Sequence, residues 1–124
     1  GSRIATSADR VAMLVMGDGS ARRSEKAPGW FDPRATKFDA AVAAALSEAD
    51  LEALLALDGN LARDLLAAGR VPWQVLAGAA ASAGAPNALW SSELLENEAP
   101  FGVGYFVAYW ERVEGQPGVD LVDG

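Results

Sequence analysis

The chain has 124 residues and a net charge of −7, from 10 basic and 17 acidic residues, and it contains neither histidine nor cysteine. The negative charge argues against nucleic acid and anionic membrane surfaces as partners, because both are bound mainly through lysine and arginine. The lack of cysteine excludes disulfides, and no apolar run reaches the roughly 18–20 residues that span a bilayer, so we expect one cytoplasmic domain or half of a larger one.

The first predicted strand occupies residues 10–16, an apolar run of the kind that is covered on both faces of a sheet. Residues 1–9 before it are interpreted as a tag remnant and a disordered lead-in. The absence of an initiating methionine indicates that natural sequence lies upstream. A glycine-bracketed turn at residues 17–20 ends the run. The polar stretch 20–33 that follows is long for a connection, which is typical of a lid or binding loop.

Four helices are predicted next from apolar residues at helical spacing. Thr36 is the expected N-cap of the first, with Asp39 completing a short capping box. Asn60 is the expected cap of the third helix, and Gly69 suits the left-handed position at its end. The fourth helix is predicted over about residues 71–83.

The last third of the chain is rich in aromatic and β-branched residues. Residues 88–95 and 103–113 predict two antiparallel strands joined by a polar connection at 96–100, and the apolar second run predicts a central strand. We interpret residues 10–113 as the folded domain and 114–124 as a flexible tail. The predicted fold class is α/β, a small three-layer-type domain with the order strand, helices, two strands. Three strands leave an exposed edge, which is compatible with a free-standing monomer or with a missing set of partner strands.

The turn at residues 17–20 is the candidate site, because open α/β sheets place ligands at the C-terminal ends of their strands. A small anionic or aromatic ligand would contact polar groups of Asp18 and Ser20 and an arginine. The alternative is a tight turn whose polar residues satisfy backbone groups. The turn lacks the Gly-Lys-Ser/Thr ending of a phosphate loop. The predicted ligand-binding residues are Asp18, Gly19, Ser20, Arg22, Arg23, Glu25 and Trp30.

Catalytic and metal chemistry have little support in the sequence. Ser20 has no histidine to activate it, and the spacing does not favour Lys26 as its base. Zinc and iron sites draw on imidazole or thiolate, which leaves only carboxylates suited to Mg²⁺ or Ca²⁺. Those carboxylates belong to Asp18, Glu93, Glu96 and Glu98, and the three glutamates fit a solvated strand end better. We therefore predict no catalytic residue, no metal site and no cofactor on this chain.

The aromatic residues fall into two groups. Trp30 and Phe31 lie in the long loop, where they form either a binding surface or, as we expect, a contact that pins the loop onto the core. Trp73, Trp90 and Trp110 lie in predicted elements and are expected to be packing residues.

Several segments follow one another in an order that resembles the C-terminal half of the LigB-like, or class III extradiol ring-cleavage dioxygenase, superfamily, whose fold the Memo-like proteins share. The resemblance covers roughly residues 10–113, but only about half of a family domain. The segments are residues 11–23, Pro28-Gly29, Phe38-Asp39, Ala68-Gly69-Arg70-Val71-Pro72-Trp73 with Gly78-Ala79, and Phe101-Gly102-Val103-Gly104-Tyr105-Phe106-Val107.

The resemblance implies a family chemistry that this chain lacks. Enzymes of the family bind Fe(II) through two histidines and a glutamate, with a further histidine as acid/base, and the two iron-binding histidines belong to the N-terminal half. The acid/base histidine would directly follow the turn, where this chain has Ala21. The glutamate would fall near Gly69 or Arg70, and neither is a carboxylate.

Our leading hypothesis is a catalytically altered or inactive LigB-like half-domain that binds a ligand or a protein. It would pair with a missing N-terminal half or with a second copy of the chain. One alternative is a histidine-independent hydrolase or lyase that uses Asp18, in a partly buried pocket, as general base. Others are a purely structural interaction module with an exposed apolar edge, and an active dioxygenase if the missing N-terminal half supplies the metal ligands.

Overall fold

The computed structural model describes residues 11–82 and 90–113, which form four helices and a two-stranded sheet. The α/β class is confirmed. No helix in the described part is long and apolar enough to cross a membrane. The predicted lead-in 1–9, the predicted tail 114–124, and residues 10, 83, 88 and 89 of the predicted strands and fourth helix lie outside the described residues. The elements are α1 (Arg34–Glu48), α2 (Leu51–Leu55), α3 (Gly59–Asp64), α4 (Arg70–Ser82), β1 (Trp90–Glu98) and β2 (Tyr105–Arg112).

The two strands pair antiparallel, as predicted, from Trp90 opposite Arg112 to Glu98 opposite Tyr105. An irregularity in the register lies between residues 94 and 96, and β1 takes in most of the predicted polar connection. Within the described residues β2 has only β1 as a hydrogen-bonded neighbour, so its predicted central position is wrong. The helices pack on one face of this sheet, which gives two layers there rather than three.

The first predicted strand does not form, since residues 11–16 have neither helix nor strand structure. A strand requires a hydrogen-bonded neighbour. The backbone groups of residues 11–17 make no hydrogen bond to any other described backbone group. Side-chain exposure nevertheless alternates along the segment as in a strand: Met13 and Val15 are half-buried, while Leu14 and Met16 are 87% and 73% exposed. Burial on both faces was therefore also a wrong prediction.

The core lies between α1, the shorter helices, α4 and the inner face of the sheet. Trp73 on α4 meets Phe106 on β2 edge to face, with ring centroids 5.9 Å apart. The indole Nε1 of Trp110 donates to the Leu46 carbonyl at 2.7 Å, which ties β2 to α1. Trp90 packs against Trp110. The predicted packing roles of these three tryptophans are confirmed.

Helix ends depart from the sequence predictions where a different residue makes the local bond. Helix α1 begins two residues before Thr36, without a side-chain cap. The carboxylate of Asp58 caps α3 by accepting the amides of Asn60 and Leu61, so Asn60 lies inside the helix. Leu66, with φ of 54°, takes the left-handed position predicted for Gly69. Helix α4 matches its prediction to within one residue.

Candidate functional site

The turn at residues 17–20 joins three parts of the fold through backbone hydrogen bonds. The Asp18 carbonyl accepts the amide of Gly69, at the start of α4, at 2.7 Å. The Gly19 amide donates to the Gly104 carbonyl at 2.8 Å, and the Gly104 amide donates to the Ser20 carbonyl at 2.9 Å. The turn is therefore fixed between α4 and the loop that precedes β2.

A buried carboxylate that the sequence analysis placed in a helix cap lies beneath this turn. Asp39, on α1, is 1% exposed. Its Oδ1 accepts the Ser20 amide at 2.9 Å, and its Oδ2 accepts Nη1 of Arg23 at 2.9 Å. Burial raises the pKa of Asp39, although the hydrogen bonds from Ser20 and Arg23 act in the opposite direction. We call these three residues the Asp39 cluster.

The sequence contains one signal that Asp39 is buried. Asp39 falls between Phe38 and Val42 in the apolar stripe of α1, at the spacing of buried residues. A carboxylate in such a stripe must have a partner, because burying an unpaired charge is costly. The partner, Arg23, lies 16 residues away, beyond the reach of any capping motif.

The Ser20 side chain is part of the same internal network. Ser20 is fully buried. Its hydroxyl donates to the Leu65 carbonyl at 2.6 Å and accepts the Arg22 amide at 3.0 Å. This matches the alternative of a tight turn whose polar residues satisfy backbone groups, and it leaves Ser20 unavailable for direct contact with a ligand.

The long loop after the turn is held in shape by arginine. Nε of Arg22 donates to the Trp30 carbonyl at 3.3 Å, and its Nη1 donates to the Asp64 carbonyl at 2.9 Å. The guanidinium of Arg34 donates hydrogen bonds to both carboxylate oxygens of Asp32, at 3.1 Å and 2.9 Å. The loop is therefore tied both to α3 and to the start of α1.

Trp30 points away from the core. The residue is 64% exposed, and its φ of 65° is unusual for a bulky residue. The Trp30 amide donates to the Ala27 carbonyl while its own carbonyl accepts from Arg22, and these bonds hold the left-handed conformation. Phe31 is also exposed. The predicted pinning of the loop by these aromatic residues is wrong.

The predicted ligand-binding residues therefore divide into two groups. Gly19, Ser20, Arg22 and Arg23 make internal hydrogen bonds, whereas Asp18, Glu25 and Trp30 are exposed. An open apolar groove of about 320 Å³ lies elsewhere, between residues 13–16 and the first turns of α4. The groove contains none of the predicted ligand-binding residues.

The residues near the turn do not fit ferrous iron. Ala21 stands where the resemblance calls for the acid/base histidine, and its amide donates to carbonyls at the end of α3. Gly69 and Arg70 supply no carboxylate, and the buried carboxylate of Asp39 is held by Arg23. Among the described residues, no group of three potential metal-binding side chains comes together. Such a donor set lacks the imidazole that iron sites use.

No protein-family model, curated protein or solved structure matches this chain. The likeness to LigB-like domains therefore depends on the sequence segments alone.

The ion pair between Asp32 and Arg34 predicts a specific response to acid. Hydrogen bonds from the Arg34 side chain and backbone lower the pKa of Asp32 from 3.8 to about 2. The folded state then binds fewer protons than the unfolded state, so this stabilisation is present above about pH 4 and is lost as the pH falls towards about 2. Between these values, urea unfolding should show a steeper loss of stability in the wild type than in Asp32→Asn. Equal pH slopes for the two proteins would contradict the assignment.

Proposed function

We propose that this chain is a catalytically altered or inactive LigB-like half-domain whose role is to bind a protein partner through residues 11–17. The observation that carries the proposal is a run of backbone amides and carbonyls without described backbone partners, on a segment whose exposure alternates like that of a strand. An unpaired strand edge is a ready template for another strand.

The side chains around this segment suit the same role. Leu14 and Met16 are largely exposed, and Val71 on α4 is exposed beside them. Met13 and Val75 complete the apolar groove that they line. In strand addition the main-chain bonds supply affinity, and alternate side chains entering such a groove supply specificity.

The partner we propose is a missing N-terminal half of the same domain or a second copy of the chain. Protein binding is better supported than ligand binding because Ser20, Arg22 and Arg23 are engaged internally. The lyase or hydrolase alternative is weaker, since the Asp18 side chain is exposed. A dioxygenase would depend entirely on metal ligands from the other half. We place the protein in the cytoplasm as part of this proposal.

The proposal is tested with a double substitution, Leu14→Lys with Met16→Lys. Leu14 and Met16 are both exposed in the chain alone. The double substitution should therefore change the free energy of unfolding by less than about 0.5 kcal/mol. Amide hydrogen exchange at residues 11–17 is then measured as chain concentration rises, and separately in the presence of the proposed N-terminal half, produced as its own polypeptide. We expect strong protection of these amides in the wild type and none in the variant.

Leu55→Lys is the matched control, because Leu55 is an exposed leucine on α2 outside the groove. It should retain wild-type protection. Amides of residues 11–17 that exchange freely in the wild type under both conditions would refute strand addition.

A further inference from the structure

The outer face of the β1–β2 sheet is an aromatic surface with an acidic border. Phe106 and Trp110 point into the core, so the alternate residues of β2 point away from the helices. Of these, Tyr105 and Tyr109 are 50% and 58% exposed. Leu95, at the register irregularity, is also exposed. We call this surface the outer sheet face.

Carboxylates stand directly across the strands from both tyrosines. Glu93 is paired with Tyr109, and Glu98 is paired with Tyr105. Glu96 lies between them in β1, and its hydrogen bond and repulsion with Glu98 raise the pKa of Glu96. The outer sheet face therefore concentrates negative charge beside exposed aromatic rings.

A second exposed surface has the opposite charge. It is centred on Trp30, and Leu66 lies beneath the adjoining Gly29, where an added Cβ would contact the Leu66 side chain. Trp30 and Leu66 are both at least half exposed, and both have positive φ. The φ of Leu66 follows from its place at the end of α3. Trp30 has no such helix end beside it, and a bulky residue held outward in this conformation points to a role in binding. We call this the Trp30 surface.

Basic residues flank the Trp30 surface. Residues 22–39, counted to include Asp39 because it neutralises Arg23, contain five basic and three acidic residues, a net charge of +2 within a chain of −7. Lys26 and Lys37 are exposed, and Arg34 keeps half of its side chain in solvent while binding Asp32. Hydrogen bonds fix the loop in advance, so little conformational entropy would be lost when a partner covers the tryptophan.

We propose that two copies of this chain associate by placing the Trp30 surface of one copy on the outer sheet face of the other. Each surface has an apolar centre, and their borders carry opposite charges. Tryptophan and arginine are the residues most often found to dominate binding energy at interfaces. The contact does not involve residues 11–17 and is independent of the strand addition proposed above.

The test uses sedimentation velocity at low salt, with Leu14→Lys and Met16→Lys present in every chain so that strand addition through residues 11–17 does not contribute. In this reference chain, Trp30→Ala removes the centre of one surface, and Glu93→Lys with Tyr109→Ala disables the other. Each variant alone should bind itself about 30-fold more weakly than the reference chain does. An equimolar mixture should recover association, because each variant supplies the surface that the other lacks.

Two controls separate this contact from other modes of association. Leu55→Ala removes an exposed apolar side chain on α2, outside both surfaces, and should leave association unchanged. High salt should weaken the contact between the two surfaces, because their borders carry opposite charges. A reference chain that stays monomeric at millimolar concentration, or a mixture that fails to recover association, would overturn the proposal. Self-association of the Trp30→Ala variant as strong as that of the chain with Trp30 intact would also overturn the proposal.

Discussion

Replacing Asp39 with alanine should lower the free energy of unfolding by about 3 kcal/mol. The substitution removes both acceptors of the Asp39 cluster at once. It leaves the buried Ser20 amide without a bond and the mostly buried guanidinium of Arg23 without a counter-charge. Urea unfolding at neutral pH, followed by tryptophan fluorescence and by circular dichroism, measures the loss.

Two further variants define the cause of that loss. Asp39→Asn keeps an oxygen for the Ser20 amide and should lose less than half as much stability. Asp64→Ala is the control, because the Asp64 carboxylate is more than half exposed and lies 4.0 Å from Arg34. It should change stability by less than about 0.5 kcal/mol. If Asp39→Ala behaved like Asp64→Ala, the Asp39 cluster would have no role in holding the turn.

The same glycine-to-alanine change should have opposite signs at two positions near α4. A Cβ at Gly69 would overlap the indole ring of Trp73, which is buried against Phe106. Overpacking of this kind should lower the free energy of unfolding by about 2–3 kcal/mol. A Cβ at Gly78 would meet nothing within 4 Å. Because alanine favours the helix there, Gly78→Ala should raise the free energy of unfolding by about 0.5–1 kcal/mol.

Chemical unfolding of the two variants and the wild type measures these changes in the free energy of unfolding. Near-ultraviolet circular dichroism provides a second measurement, since Gly69→Ala should alter the environment of Trp73 whereas Gly78→Ala should not. A loss of stability in both variants, or in neither, would mean that the close approach of Gly69 to Trp73 is not a feature of the fold.

The elements that sequence reasoning predicted correctly are those defined by local patterns. Helix α4 follows from its apolar spacing, and the β1–β2 pair follows from two β-rich runs separated by a short connection. The packing of Trp73 and Trp110 follows from their position in those elements. In each of these cases the decisive information lies within about a dozen residues.

The errors arise where a distant residue determines the outcome. Residues 11–16 have the composition of a strand, but a strand also needs a neighbour that the local pattern cannot supply. Asp39 resembles a helix cap locally, yet Arg23 and Ser20 recruit it from another segment. Trp30 is apolar enough for the core, but hydrogen bonds to its backbone decide where its ring points.

The sequence predicted a ligand site at residues 17–20, with a tight turn that satisfies backbone groups as the alternative. In the structure the turn is a junction of the fold, fixed by backbone hydrogen bonds to Gly69 and Gly104. Which of its side chains reach solvent could not be predicted, because that depends on Leu65 and Asp39, far along the chain. The residues that the sequence grouped as one site therefore separate into internal and external sets.

Residues 11–16, which have no backbone hydrogen bond to the rest of the described chain, also affect the solubility of the polypeptide. Its six residues are all apolar and include neither a charge nor a proline to act as a gatekeeper. Such hexapeptides stack readily into cross-β fibrils when left uncovered. A partner strand bound there, as proposed above, would also protect the chain from aggregation, and producing the chain together with that partner should raise its yield.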